Sequence, residues 1–186
     1  MNVRSILLSG LFFFSFLSLS TGQTQRGDEI LFQGGIGLLP TYFMDGATTN
    51  VIPIQANLSY KFKGLVSVGA FAGYSSATSK PKTNADGSVH SVENQNLIVG
   101  LRTAVHSRKF DNWDIYGGFN VGYNMPNASI ATLQYGEDGI PGVSAKNEYI
   151  YGGFIGFAGY LNQTFGLYGE IGYGISLFQA GVTVRL

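Results

Sequence analysis

Residues Trp113 to Asn124 read WDIYGGFNVGYN, and the order of side chains in this stretch decides the fold. Trp113, Ile115, Gly117, Phe119, Val121 and Tyr123 take alternate positions, with Asp114, Tyr116, Gly118, Asn120, Gly122 and Asn124 between them. A period of two is that of a β-strand with one apolar face and one polar or small face, whereas an amphipathic helix repeats every 3.6 residues. The central pentapeptide IYGGF recurs at Ile150 to Phe154, and GLYGEIGYG follows at Gly166 to Gly174.

The same alternation continues in both directions. Ile52, Ile54, Ala56, Leu58, Tyr60 and Phe62 alternate with Pro53, Gln55, Asn57, Ser59 and Lys61. At the C-terminus Phe178, Ala180, Val182, Val184 and Leu186 alternate with Gln179, Gly181, Thr183 and Arg185. In the second IYGGF region both parities carry bulky residues, so the inward set between Tyr149 and Leu161 stays open.

Composition narrows the class. Charged residues are 12% of the chain, about half the share of a soluble domain, while 27 Gly, 14 Phe and 11 Tyr fill the difference. Basic and acidic residues number 11 each, so no net field draws in a nucleic acid. Without cysteine, neither disulfides nor a lipid-bearing N-terminal cysteine is available. Residues 1–22 combine Arg4, an apolar run from Ile6 to Leu19 and small Ser20 and Gly22, the pattern of a cleaved signal peptide. The run is short for a membrane anchor and lacks a closely following basic stop. Residues 23–186 then form one domain, in which no apolar stretch is long enough for a membrane helix.

Eight segments follow, at roughly 29–39, 50–62, 65–75, 93–106, 113–124, 147–161, 165–173 and 177–186. Each has about the length of a tilted membrane-crossing strand. The connections alternate between long (Pro40 to Asn50, Ser76 to Val92, Met125 to Lys146) and short (Lys63–Gly64, Ser107 to Asn112, Asn162 to Thr164); the last, near Gly174, is brief. Long and short connections in turn are the mark of an outer-membrane barrel with periplasmic turns and external loops. The expected fold is all-β, an eight-stranded antiparallel up-and-down transmembrane β-barrel with both mature termini in the periplasm. A lipocalin-type barrel would instead put its large apolar residues inside. Here the other face carries Gly, Ser, Asn and single charges, and Tyr60, Phe62, Trp113, Tyr123, Phe165, Tyr173 and Phe178 sit toward strand ends on the apolar face. Glycine on the lumen side would leave room for a neighbour's long side chain.

With these features the chain resembles the small outer-membrane barrels of Gram-negative bacteria, the OmpA/OmpX-type transmembrane domains. The most specific piece is QAGVTVRL, in which Gln179, Gly181, Val184 and Leu186 match the terminal assembly signal of such barrels; Leu186 stands where the family more often ends in an aromatic. The resemblance implies periplasmic chaperones and the barrel assembly machinery as partners, a setting of outer-membrane lipid and lipopolysaccharide, and a monomer.

Inward charges are few. Arg102, on the fourth segment, shares its face with Gly100 and Ala104, and Glu170, on the seventh, with Tyr168 and Gly172. Both point inward, where an unpaired charge is costly, so they are expected to pair and plug the lumen rather than line an ion path. The expected register sets Arg102 opposite Gly118, His106 opposite Asp114 and Glu170 opposite Gly181, with Lys61, Asp114, His106 and Arg185 at the periplasmic end. Function then divides between a structural or loop-binding barrel, a narrow pore and a lipid A-modifying enzyme. For the last, the candidate is HSVE at His90 to Glu93, placed in a loop, with no oriented base or oxyanion site to go with it. GGFIGFAG lacks the Lys-Ser/Thr of a phosphate loop, no cluster has metal-ligand spacing, and no cofactor is expected. Ile130, Leu133, Tyr135 and Ile140 give the third long connection enough apolar surface to bind a partner.

Overall fold

The computed structural model describes residues 27–40, 47–83, 89–107, 112–134 and 146–186, so the leader lies outside the described part. Nine strands form in chain order: β1 (Glu29–Pro40), β2 (Thr48–Phe62), β3 (Val66–Thr78), β4 (Lys82–Thr83), β5 (Val89–His106), β6 (Trp113–Gln134), β7 (Glu148–Tyr160), β8 (Phe165–Gly172) and β9 (Ser176–Arg185). All neighbours pair antiparallel; β1 joins β9, and β3 joins β5. Eight strands therefore close into a barrel, with the two-residue β4 as a ribbon on β5. Closure leaves no edge along the wall, the condition for a β structure in lipid. Among the described residues there is no helix.

The wall has its apolar side out. Leu101, Ile155 and Ile171 are 66%, 69% and 65% exposed, while Lys61, Asp114, Arg102 and Glu170 are 1%, 2%, 3% and 3% exposed. The open parity of β7 resolves: Phe154, Gly156, Ala158 and Tyr160 face in, and Tyr149, Tyr151, Ile155 and Phe157 face out. The inward side of β7 must carry aromatic rings because it faces the widest polar side chains, which rest on those rings.

The turn end is tight. Lys63 and Gly64 have φ of 44° and 67°, and Leu65 N donates to Phe62 O at 2.9 Å. Two consecutive positive φ values make the two-residue hairpin turn whose twist matches its strands. Asp28, just ahead of β1, accepts from Lys63 N and from Tyr60 Oη, both at 2.8 Å.

The loop end is uneven. β6 pairs β7 as far as Asn124–Glu148, yet continues against β5 to Gln134–Val89, so these two strands rise above the wall; β8 and β9 stop at Gly172 and Ser176. The expected loop after Asn124 is thus strand for its first ten residues, Met125 to Gln134, including Ile130 and Leu133; Tyr135 and Ile140 lie outside the described residues. HSVE is likewise not in a loop but in β5. The outward row across β3, β5 and β6 changes character at one level, from Tyr74, Leu97 and Met125 to Gln95 and Asn127, with Ser76 beside them buried against Glu93. That line is the upper limit of the apolar band.

Candidate functional site

The inward side chains stack in tiers. At the turn end Lys61 Nζ and His106 Nδ1 both bond Asp114 Oδ2 at 2.8 Å, and Ser67 Oγ bonds His106 Nε2 at 2.8 Å. Arg185 stands apart from this group: its guanidinium lies over the Tyr160 ring, 3.1 Å from the centroid, with Glu29 Oε2 3.8 Å from its Nε. Alternation of β2, β3, β5, β6 and β9 delivers these groups inward, since each strand end contributes a polar residue of the same parity.

In the middle tier Arg102 meets Glu170 at two points, Nη1–Oε2 at 3.1 Å and Nη2–Oε1 at 2.5 Å, and lies 3.8 Å from the Phe154 ring centroid. Tyr116 Oη donates to Glu170 Oε1 at 2.8 Å and accepts from Gln33 Nε2 at 3.1 Å. Gln33 Oε1 accepts from Asn57 at 3.4 Å, Asn57 Oδ1 from Gln55 at 3.1 Å, and Gln55 Oε1 from Gln179 at 3.1 Å. One line of hydrogen bonds therefore runs from β9 around to the ion pair. The Tyr116 ring also stacks on His106 at 5.3 Å, joining the two charged groups. Above them Phe71, Ile98 and Ile175 form a buried apolar cluster with Ile150 against it, Ile175 being folded in from the short β8–β9 turn.

The structure thus brings together Arg102 with Glu170, and Lys61, Asp114 and His106 with one another. It corrects the register that was to do so. Arg102 stands opposite Asn120, His106 opposite Tyr116, and Glu170 opposite Gln179. Each shift is two positions, which preserves every side chain's face; β5 ends at His106 and β6 begins at Trp113 as expected, but the ladder between them starts only at His106–Tyr116. Glycine does face both charges, but from the other neighbour: Gly69 on β3 opposite Arg102, and Gly156 on β7 opposite Glu170.

The lumen glycines divide by purpose. A Cβ at Gly156 would meet the Tyr116 ring at 2.5 Å, and one at Gly35 Tyr168 Oη at 2.3 Å. These leave room for rings. In the two IYGGF copies, however, a Cβ at Gly118 would meet backbone Thr103 O at 1.8 Å and one at Gly152 backbone Tyr173 O at 2.3 Å, so glycine there allows strands to coil closely. Ser67, Tyr116, Gln33, Asn57 and Gln55 were missed as members of the network; their inward parity was the available signal.

No protein-family model matches the chain, and no curated protein matches it. Among solved structures, the outer membrane protein OprG from Pseudomonas aeruginosa superposes with a TM-score of 0.54 and 14% identity, over 88% of this chain and 98% of that one. The chain has the small outer-membrane β-barrel fold. Two further barrels align at lower scores. Ail, the attachment invasion locus protein of Yersinia pestis, gives 0.43 at 9% identity, over 87% and 96% of the two chains. The N-terminal β-barrel domain of Pseudomonas aeruginosa OprF gives 0.39 at 10%, over 88% and 100%. As an outer-membrane barrel fold, the molecule keeps the inverted arrangement described above, apolar outside and hydrogen-bonded inside.

Proposed function

We propose that this protein is a non-enzymatic integral barrel of a Gram-negative outer membrane, with a plugged lumen and a binding role carried by the strands and loops of its loop end. The observation that carries the reading is the inverted wall: bulky apolar side chains cover the outside while Arg102 and Glu170 neutralise each other within. Such a surface is stable in lipid and not in water. The turn end, with both mature termini, faces the periplasm, and β5 and β6 rise outside the cell. A leader of residues 1–22 is removed on export. Gln179, Gly181, Val184 and Leu186 form the signal that chaperones and the assembly machinery read, and the barrel stands as a monomer among lipid and lipopolysaccharide.

The test is reconstitution of the detergent-purified barrel in planar bilayers. A folded protein, shown by different gel mobility before and after boiling, should give no steady conductance. Steady single-channel currents would replace the plug by the narrow-pore reading. A lipid A mass profile that changes with the gene would replace both by an enzyme.

A further inference from the structure

The lower tier holds three side chains in a relation that plugging does not require. Asp114 Oδ2 takes His106 Nδ1 at 2.8 Å, and the opposite ring nitrogen, Nε2, meets Ser67 Oγ at 2.8 Å. An ionised carboxylate only accepts, so Nδ1 carries a proton, and in the neutral ring Nε2 is then the acceptor for the serine hydroxyl. This is the order of nucleophile, base and orienting carboxylate that activates serine on unrelated folds, recognised by geometry and not by chain order. Lys61 is the cross-strand partner of Ser67, and one of its three N–H donors goes to Asp114 Oδ2.

The geometry points to Ser67 as an activated nucleophile that accepts acyl groups from small activated esters entering at the turn end. Ser67 is the first inward residue of β3 above the Lys63–Gly64 turn. Asp114 Oδ1 is buried without a hydrogen-bond partner, so the carboxylate that orients His106 is held through its Oδ2. In the step, Ser67 Oγ bonds the carbonyl carbon, the bond from that carbon to the leaving oxygen breaks, and the hydroxyl proton passes through His106 Nε2 to the leaving oxygen. No oxidant or reductant is involved. Ser67 is 4% exposed, so an ester that reaches it must be small, and the strand N–H groups are committed to the ladder; Lys61, its cross-strand partner, has N–H donors beyond the one given to Asp114 and is assigned the negative charge on the carbonyl oxygen. The inference goes beyond the proposed function, because it gives the barrel a reactive residue without assigning a physiological reaction.

The experiment treats the folded barrel in micelles with a small alkyl fluorophosphonate, which forms an Oγ–P bond and expels fluoride, and reads the mass increment by peptide mapping. The native protein should be labelled on Ser67, boiled protein should not, and Ser67→Ala should remove the label. His106→Gln or Asp114→Asn, whichever keeps the heat-dependent gel shift, should slow labelling roughly 100-fold, the usual worth of a positioned base. Ser67→Cys treated with a small methanethiosulfonate reports access separately. Reaction of that variant without labelling of the native protein would show an accessible but ordinary serine and overturn the proposal. Failure of both would overturn it through lack of access, and labelling indifferent to His106 and Asp114 would overturn the activation.

Discussion

Arg102 and Glu170, 68 positions apart in sequence, form a two-point ion pair across the lumen, and the Phe154 ring lies against the guanidinium. Each charge has the other as its counterion at a site where both are 3% exposed. Arg102→Met or Glu170→Gln alone should lower stability by about 3–5 kcal/mol, because a lone buried charge remains, while the double replacement should be milder than either. A double-mutant cycle on denaturant or heat midpoints in detergent reads the coupling, and strict additivity would contradict it.

Tyr116 carries the load between β1 and the ion pair. Tyr116→Phe keeps the ring on Gly156 but removes the hydroxyl that donates to Glu170 and accepts from Gln33. The expected loss is about 1–3 kcal/mol, the cost of leaving buried polar groups short of a partner. Unfolding midpoints of the variant and parent check it; an unchanged midpoint would mean that other groups take up both bonds.

The two IYGGF copies offer a matched comparison. Gly118→Ala places a Cβ 1.8 Å from Thr103 O, whereas Gly153→Ala meets nothing closer than Phe119 Cε1 at 3.6 Å. The first should destabilise by about 1–3 kcal/mol through strand displacement and the second should be close to neutral. Equal effects in thermal unfolding would show that composition, not backbone approach, selects these glycines.

Asp28 gives a pH dependence outside the membrane band. Hydrogen bonds from Lys63 N and Tyr60 Oη hold its carboxyl below the usual carboxylate value. A depressed folded-state value means stabilisation that is present above the unfolded value and is lost as pH falls through the folded one. Acid titration of the parent should therefore loosen the first turn at low pH, and Asp28→Asn should flatten that response. Hydrogen exchange at Leu65 N, which donates across the turn, is the readout.

Leu186 is 73% exposed on the outside of the seam, with its backbone paired to Ile30 in both directions, at 3.1 and 2.8 Å. Leu186→Asp, or removal of Val184 to Leu186, should leave most of the protein out of the outer membrane. Fractionation of cells expressing each form tests this; normal levels in the outer membrane would separate the last residues from recognition.

Face assignment was readable from the sequence because strand parity survives errors of register. Trp113 to Asn124 and Ile52 to Phe62 keep the faces their alternation gives, and both Arg102 and Glu170 point inward even though each faces a different residue from the one expected. Register itself was not readable: it depends on how many residues beside a turn stay out of the ladder, and a two-residue shift changes that without moving any side chain to the other face. Strand length past the band was hidden too, because Gln95, Asn127 and Ser129 look like loop residues once lipid no longer requires an apolar face. The Ser67–His106–Asp114 line joins three strands, and no spacing along the chain encodes it.

The extension of β5 and β6 above the band has a consequence for how the sequence can change over time. Below Leu97 and Met125, every position on these strands answers either to lipid or to a packed lumen; above them, Pro126 to Gln134 pairs with β5 alone. Selection on one part acts through assembly of the whole wall, and on the upper part of β6 only through its ladder with β5. Substitutions should therefore accumulate unevenly around the circumference, fastest on the β5–β6 flank of the loop end.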